Sequence, residues 1–434
     1  MQTAPGTHRL EPARVEQPTS LRELCALFVR LGATAFGGPA VHLSLMHREV
    51  VERRKWIDEQ RFLDLLSATN LIPGPNSTEM ALHIGWQRRG FWGLVTAGLS
   101  FIVPAMLITL GLAVIYVRYG RLPGVSSLLY GIKPVMLAVV LAAVASLAKK
   151  ALPGTTEKVL AGIGMVASLV GVHELMVLFG IGVLVVLAAR LRSEKESPKT
   201  VRADSGKETE GESQRESEKE SQSDSQNDSQ NDSQGSLLPI FPSVPLALSA
   251  SAKLVSLSSV FALFFKIGGV LYGSGYVLLA FLRADLVLRL GWLSESQLID
   301  AIAVGQMTPG PVFTTATFVG YLLLGTWGAL AATAGIFLPA FGLVAVSGPL
   351  IPRLRSLPSL GRFLDGVNVG SWALMVAVTL QLGKAALSDL PAVLVAVGSL
   401  LAILRFRTNS TFLLVAGALI GFLRHHWFEI GRFF

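Results

Sequence analysis

Two long apolar stretches, residues 77–117 and 311–350, most constrain how this chain can fold. A helix that crosses the hydrocarbon of a bilayer needs about 20 apolar residues, and each stretch has close to twice that length. Each is therefore predicted to form two antiparallel helices, which turn near Gly90–Gly93 and near Leu324–Gly328. Shorter apolar stretches occupy 23–45, 125–148, 158–191, 254–282, 366–387, 391–404 and 411–423. The pattern predicts an all-α polytopic membrane protein with about 10–13 membrane segments, several of them broken or paired.

The composition agrees with a membrane protein and argues against several other classes. Hydrophobic residues make up 51% of the 434 residues and charged residues 15%, whereas soluble domains carry about 25% charged residues. The only cysteine, Cys25, excludes an internal disulfide and a two-thiol redox centre. Residues 1–20 are polar, so no cleavable signal peptide is expected. The sequence has no phosphate-binding loop, no zinc-protease motif and no nucleophile–base spacing, so we expect no cofactor, no metal site and no enzymatic activity. It also has no RNP, zinc-finger or helix-turn-helix pattern, so we expect no nucleic-acid partner.

An acidic, Ser-rich segment at 193–236 divides the chain. It has almost no apolar residue to bury, which predicts a disordered linker. Arg190 and Arg192 precede it and favour a cytoplasmic position. The chain is accordingly divided into a polar tail (1–20), a first repeat (21–192), the linker (193–236) and a second repeat (237–434).

The segments on either side of the linker are two copies of one unit. A shift of 236 residues places Arg53 on Arg289 and Trp56 on Trp292. After one deletion the shift becomes 235, and Trp92 then matches Trp327. Internally duplicated membrane bundles are mostly secondary transporters with a substrate site at the interface between repeats.

Each copy contains two predicted helix breaks. Glycines interrupt the first helix of each repeat, and a Pro-Gly-Pro sequence follows about 36 residues later. Unpaired backbone at membrane depth is tolerated where it lines a cavity, and a helix start presents free N–H groups that favour an oxyanion. The alternative is an ordinary turn at the membrane surface. The predicted substrate-binding residues at these breaks are Gly37, Gly38, Pro73, Gly74, Pro75, Asn76, Ser77, Thr78, Pro309, Gly310, Pro311, Thr314 and Thr315.

Two cations lie inside apolar sequence at equivalent positions, Arg30 and Lys266. A cation in a membrane helix costs several kcal/mol unless it is paired or hydrated. Its presence in both copies favours a pair that faces an anion, with Arg able to bind two oxygens at once. The alternative is that both side chains extend to the membrane interface.

Glu79 follows the first Pro-Gly-Pro, whereas the second copy has Thr315 there. A carboxylate in one copy only is a candidate for proton exchange, and His83, one helical turn away, is predicted to share that proton. The alternative is a satisfied polar pair between helices. Asp64 and Asp300 also match, and we expect these to be structural and paired with loop arginines.

The sequence resembles the chromate ion transporter family. In the first half the resemblance rests on FVRLGATAFGGPAVH, WIDEQRFLDLLSATNLIPGPNSTEMALHIG and GFWGLVTAGLSFIVPA. In the second half it rests on FFKIGGVLYGSGYVLL and GWLSESQLIDAIAVGQMTPGPVFTTATFVGY. It implies a carrier in the bacterial plasma (inner) membrane that exports chromate with the proton-motive force and confers chromate resistance. It also implies halves of opposite orientation.

From these residues we expect a site near the midplane, formed by both repeats, in which rocking of one repeat against the other gives alternating access. The expected partners are chromate, protons and the lipid bilayer; a monomer suffices, and a homodimer is compatible with the sequence. A carrier for sulfate or another oxyanion and an uncoupled anion channel are alternatives. A membrane-bound chromate reductase is disfavoured by the single cysteine.

Overall fold

The structure is a computed structural model, and the residues that it describes form helices joined by turns, with no strand among them. It describes residues 19–36, 38–120, 122–196, 255–272, 275–355, 358–406 and 408–430. Most of the predicted linker at 193–236 lies outside these residues, so the boundaries of the repeats at the linker stay predictions. Gly37 also lies outside them. The helices are α1 (Leu21–Thr34), α2 (Pro39–His47), α3 (Glu59–Thr69), α4 (Asn76–Tyr119), α5 (Pro123–Ala151), α6 (Thr155–Leu169), α7 (Glu174–Glu196), α8 (Leu257–Val270), α9 (Leu278–Leu282), α10 (Glu295–Met307), α11 (Thr315–Arg355), α12 (Pro358–Ala386), α13 (Leu390–Phe406) and α14 (Ser410–Ile430).

Five of the described helices are long and apolar enough to cross a membrane: α4, α5, α7, α11 and α12. Three shorter apolar helices, α8, α13 and α14, accompany them. This content confirms the prediction of an all-α membrane protein. The predicted total of about 10–13 segments includes the shorter helices and stays a prediction.

The two longest helices fold back on themselves, as the sequence predicts. In α4 the backbone leaves helical geometry at Arg89 and Gly90, and in α11 it does so at Leu324 and Gly325. In α11 the two arms face each other through a hydrogen bond between the hydroxyls of Thr317 and Thr333. Each long helix is therefore a hairpin with a short arm followed by a membrane-crossing arm.

Equivalent local signals start equivalent helices in the two repeats. Ser20 and Ser256 close capping boxes at the starts of α1 and α8, and Asp58 and Ser294 cap α3 and α10. A side-chain oxygen at the N-cap satisfies one of the free N–H groups of the first turn. The duplication seen in the sequence thus extends to the ends of the helices.

The two repeats run in opposite directions. Helices α5 and α12 are equivalent under the shift of 235, and they pack against each other. The indole of Trp372, at the middle of α12, donates to the carbonyl of Val144 in the second half of α5 (2.9 Å). Leu137, earlier in α5, contacts α12 at Gly383, near its end. Equivalent helices that pack antiparallel require an inverted repeat.

The repeats are also intertwined, because the last two helices of each pack on the other repeat. Helices α13 and α14 pack on α5, and α6 and α7 pack on α12. A Cβ atom at Gly131 would overlap the Gly417 carbonyl, and one at Gly366 would lie 2.7 Å from the Cα of Gly182. These two glycine contacts are equivalent under the shift of 235. Small residues let helix backbones approach closely where the surrounding lipid provides no hydrophobic drive.

Basic residues gather at one face of the bundle. The Arg88 guanidinium at the end of the short arm of α4 donates to Thr19 Oγ1 (2.8 Å) and to the Trp56 carbonyl (2.9 Å). From this turn the long arm of α4 runs away and α5 returns, which brings Lys149 and Lys150 to the same side. We call this side the basic face.

Candidate functional site

A cavity of about 630 Å³ lies between the repeats, and equivalent positions from both of them line it. Pro39, at the start of α2, and Gly275 are equivalent positions on its wall, as are Ser77, in the first turn of α4, and Phe313. The cavity therefore forms where the four predicted helix breaks meet. This convergence agrees with the position that the sequence predicts for the substrate site.

Two helix starts from the first repeat face the cavity. Pro39 is the first residue of α2, and Asn76 and Ser77 are the first two of α4. Neither helix has a side-chain cap, and the Val41 and Thr78 amides donate to the carbonyls of Gly38 and Pro75. The other amides of the two first turns, those of Ala40, Asn76 and Ser77, have no acceptor among the described residues and keep their capacity to donate. Unpaired amides and the positive end of the helix dipole attract an anion. In the second repeat the wall residues equivalent to Asn76 and Ser77 are Val312 and Phe313, so the polar side chains at these helix starts come from the first repeat.

Lys150, at the end of α5, is the cation on the described cavity wall, and Asp365 of α12 is the carboxylate. Uncharged polar groups on the same wall are contributed by Asn70, Ser146, Asn368, Ser371 and Trp372. The sequence interpretation missed Lys150 and most of these groups. Asn368 and Ser371 carried a usable signal, because they interrupt an otherwise apolar membrane helix.

The cations Arg30 and Lys266 are absent from the described cavity wall. Arg30 Nη2 lies 2.7 Å from Glu49 Oε2, and Lys266 Nζ lies 2.7 Å from Asp285 Oδ2. The two acids are equivalent under the shift of 236 and are almost completely buried. Each also pairs with an arginine four residues later, Glu49 with Arg53 and Asp285 with Arg289. The duplicated cations thus belong to duplicated ion clusters.

Glu79 is completely buried, and neither of its carboxylate oxygens has a hydrogen-bond partner in the described structure. A Cβ atom at Gly74 would overlap this carboxyl group, which places it directly behind the Pro-Gly-Pro turn. His83 lies one turn further along α4; it is also buried, and its Nε2 has no partner. No hydrogen bond joins the two groups. Burying an ionised carboxylate without a partner is far costlier than burying a neutral one.

The threonines after the Pro-Gly-Pro turns lie behind the cavity wall. Thr314 and Thr315 donate to the carbonyls of Pro311 (2.9 Å) and Val312 (2.8 Å), which closes the first turn before α11. Thr78 is buried, and its hydroxyl has no partner. Of the predicted binding residues, those on the described wall are Pro75, Asn76 and Ser77.

The turns themselves connect the repeats. The amide of Gly74 donates to the Leu271 carbonyl and that of Gly310 to the Ala35 carbonyl. Pro73 and Pro309 belong to the same turns, and Gly38, whose φ is +80°, lies close to the Tyr276 hydroxyl. The turn residues therefore lie behind the described cavity wall and not on it: Pro73, Gly74, Pro309, Gly310 and Pro311. Gly38 lies at the start of α2.

Asp300 is paired with a helix lysine and not with the expected loop arginine. Its carboxylate lies 3.0 Å from Lys133 Nζ of α5 and accepts a hydrogen bond from the Tyr116 hydroxyl (2.8 Å). The prediction of a loop arginine is wrong for Asp300, because α10 packs against α5 of the other repeat. Among the described residues, no group of three or more His, Cys, Asp or Glu side chains is placed to hold a metal ion.

The sequence matches the family model described as chromate transporter in two segments, residues 22–187 and 258–422. The chain belongs to the chromate transporter family. One matched segment lies within each of the two repeats, and the acidic segment between them is left out. The resemblance inferred from the motifs is thereby confirmed.

Curated relatives of this family match nearly the whole chain. A chromate transport protein of Cupriavidus metallidurans is 30% identical over 421 residues, which cover 94% of this chain and 95% of the relative. A chromate transport protein of Pseudomonas aeruginosa is 28% identical and covers 94% of both chains. A probable chromate transport protein of Synechococcus elongatus is 29% identical over 87% of this chain and 88% of the relative. No solved structure matches the chain.

Proposed function

We propose that this protein is a secondary carrier that exports chromate across the bacterial inner membrane, driven by the proton-motive force, and thereby confers chromate resistance. The observation that carries the proposal is the cavity between two inverted repeats, on which helix starts from both converge. Inverted repeats around a midplane cavity are the common architecture of secondary transporters. Family membership and relatives named for chromate transport support the choice of substrate.

In this proposal the basic face lies in the cytoplasm. Arg88, Arg89, Lys149 and Lys150 gather there, and cytoplasmic loops of membrane proteins carry an excess of lysine and arginine. The cavity reaches this face, because Lys150 at the end of α5 belongs to its wall. The described conformation is then the one that receives chromate from the cytoplasm.

The amides at the starts of α2 and α4, together with the Asn76 and Ser77 side chains, donate hydrogen bonds to the chromate oxygens. Lys150 supplies positive charge, and the Asn368 side-chain amide faces the anion from α12. Hydrogen bonds to an ionised acceptor are roughly twice as strong as neutral ones, so a dianion gains from several such donors at once.

Glu79 is the proposed coupling group. Its buried, partnerless site stabilises the neutral carboxyl group, and loss of the proton requires a change that admits water or a cation. Since the carboxyl group touches the Pro-Gly-Pro turn behind the substrate site, its protonation is linked mechanically to that site. His83, one turn away, is the proposed relay for the proton.

Arg30 and Lys266 contact the anion only in a conformation that opens their ion pairs with Glu49 and Asp285. Replacing Arg30 by Gln tests this role. Loss of transport with normal membrane abundance supports it, and near-normal transport removes Arg30 from the mechanism.

The decisive experiment measures radiolabelled chromate uptake into everted membrane vesicles that contain this chain, with and without a proton gradient and with excess sulfate. We expect gradient-dependent accumulation and acceleration by chromate preloaded in the lumen, because only a carrier shows such counterflow. Sulfate accumulation without chromate accumulation would transfer the substrate to sulfate. Flux that follows the chromate gradient without counterflow would identify a channel and contradict the proposal.

A further inference from the structure

The cavity extends towards the basic face. Helix α5 lines it with the second half of its length, from Ala143 to Ala151, and α12 lines it with the middle of its length, from Asp365 to Met375. Because α5 and α12 are equivalent and antiparallel, their other halves meet towards the opposite face. There Leu137 and Leu382 are 3% and 1% exposed. The helix bundle is therefore open at the basic face and closed at the opposite face.

Polar contacts hold the closed half together. Lys133 Nζ lies 3.0 Å from Asp300 Oδ1, and the Tyr116 hydroxyl donates to the other oxygen of the same carboxylate. The Arg283 guanidinium donates to the Gln381 side-chain oxygen and joins the segment after α9 to α12. Asp300 is 4% exposed, so the carboxylate is shielded from solvent, whereas the Lys133 side chain is 21% exposed.

The residues in these contacts are equivalent to residues of the open cavity. Under the shift of 235, Lys133 corresponds to Asn368 and Gln381 corresponds to Ser146. Both Asn368 and Ser146 belong to the cavity wall and are exposed. In an inverted repeat, alternating access arises when the two halves exchange conformations. Lys133 and Gln381 then lie on the open side, and their equivalents lie on the closed side.

We propose that Lys133 is a further anion-contacting cation, which lines the pathway at the opposite face when that face opens, and that its ion pair with Asp300 closes this pathway in the described conformation. The proposal rests on the proposed function, since it assigns the cation of the second half of the same transport cycle. Helix α5 then carries one lysine for each pathway, Lys150 for the basic face and Lys133 for the other. They are about 25 Å apart at 1.5 Å per helical residue.

The closing step has a clear electrostatic basis. A buried carboxylate that loses its cation is strongly destabilised, so Asp300 and Lys133 favour the closed arrangement while they remain paired. An anion that arrives at Lys133 competes with Asp300 for the same ammonium group. Arrival of substrate and opening of this pathway are therefore coupled through one side chain.

Cysteine accessibility tests the proposal without requiring any substrate. In a Cys25→Ser background, Ser146→Cys reports the open cavity, Gln381→Cys reports the closed pathway, and Ala377→Cys, which is completely buried on α12, is the control. Each is treated with a membrane-impermeant maleimide in right-side-out and in everted vesicles. We expect Ser146→Cys to react from the basic face and Gln381→Cys to react slowly, from the opposite face only.

Removing the ion pair is expected to shift the population. Asp300→Asn and Lys133→Gln should each accelerate labelling of Gln381→Cys about tenfold and slow labelling of Ser146→Cys, because the two pathways open alternately. Ala377→Cys should stay unlabelled in both variants. Unfolding would instead label all three positions, so this reciprocal change separates opening from damage. Unchanged labelling of Gln381→Cys in both variants, or labelling from the basic face, would overturn the proposal.

Transport then tests the contact with the anion. Lys133→Gln should raise the KM for chromate offered at the opposite face about tenfold and leave the KM at the basic face within about twofold. Equal effects at the two faces would contradict the role assigned to Lys133. Reciprocal labelling in a protein that moves sulfate and not chromate would retain the two pathways and refute only the proposed substrate.

Discussion

The amide nitrogen of Gly74 lies 2.8 Å from the carbonyl oxygen of Leu271, across the boundary between the repeats. The equivalent contact joins Gly310 to the carbonyl of Ala35 at 2.9 Å. Ala35 and Leu271 are the residues at which α1 and α8 end. Each Pro-Gly-Pro turn thus satisfies a backbone carbonyl that the broken helix of the other repeat leaves free, which is a requirement at membrane depth.

Gly74→Ala should reduce transport at least about tenfold, because the φ of +142° is strained for any residue with a Cβ atom and this atom would displace the Glu79 carboxyl group. The measurement is counterflow of chromate, normalised to the amount of protein in the membrane. Gly111→Ala is the matched control, since nothing lies within 4 Å of the added atom. Equal activity of the two variants would mean that the turn has no part in the site.

Glu79→Gln should abolish accumulation driven by the proton gradient and preserve counterflow. The amide resembles the neutral carboxyl group, so the buried site accepts it, but it cannot exchange a proton. Counterflow and gradient-driven uptake are compared in the same vesicles, with Glu52→Gln at an exposed position as the control. Gradient-driven accumulation in Glu79→Gln at the normal level would assign the coupling to another group.

Lys150→Gln should raise the KM for chromate at the basic face about tenfold, because a hydrogen bond to a charged group contributes about 1.5–3 kcal/mol. Lys149→Gln is the control for overall surface charge, since this neighbouring lysine is absent from the described wall of the cavity. Initial rates of uptake at several chromate concentrations distinguish the two. If both variants raise KM equally, the effect of Lys150 is long-range attraction and not contact.

Asp389, in the turn between α12 and α13, should make stability depend on pH. The hydrogen bond from Tyr130 holds the pKa of this carboxyl group below its ordinary 3.8, with help from the Ala392 amide and the Arg424 guanidinium. A lowered pKa in the folded state stabilises the protein above the unfolded pKa, and this contribution is lost as the pH falls through the folded pKa. Thermal unfolding in detergent should therefore show a difference between the wild type and Asp389→Asn at pH 6 that shrinks below about pH 4. A constant difference across this range would exclude the linkage.

The duplication, the breaks and the hairpin turns were all accessible from the sequence, because glycine, proline and apolar length act locally. Gly90 and Gly325 turn the two long helices where the apolar stretches exceed one crossing. The partners of Arg30 and Lys266 were missed, although their acids also match under the same shift. A comparison of acids as well as cations between the copies would have revealed the ion pairs.

The walls of the cavity were harder to predict, because they depend on which helix faces meet. Lys150 and Asn368 come from equivalent helices of opposite direction, and they share the cavity wall only after the repeats intertwine. Apolar periodicity is weak in helices that face lipid on one side and protein on the other. The sequence alone therefore located the helix starts and left open what lies opposite them.

The glycine contact between Gly131 and Gly417 has a consequence for biosynthesis. Helix α5 enters the membrane early in translation, whereas its partner α14 is the last described helix to be made. The polar triad of Tyr130, Asp389 and Arg424 stays incomplete for the same period. The surface of α5 that contacts α14 is therefore covered by lipid or by insertion factors until the ribosome has synthesised almost the entire chain.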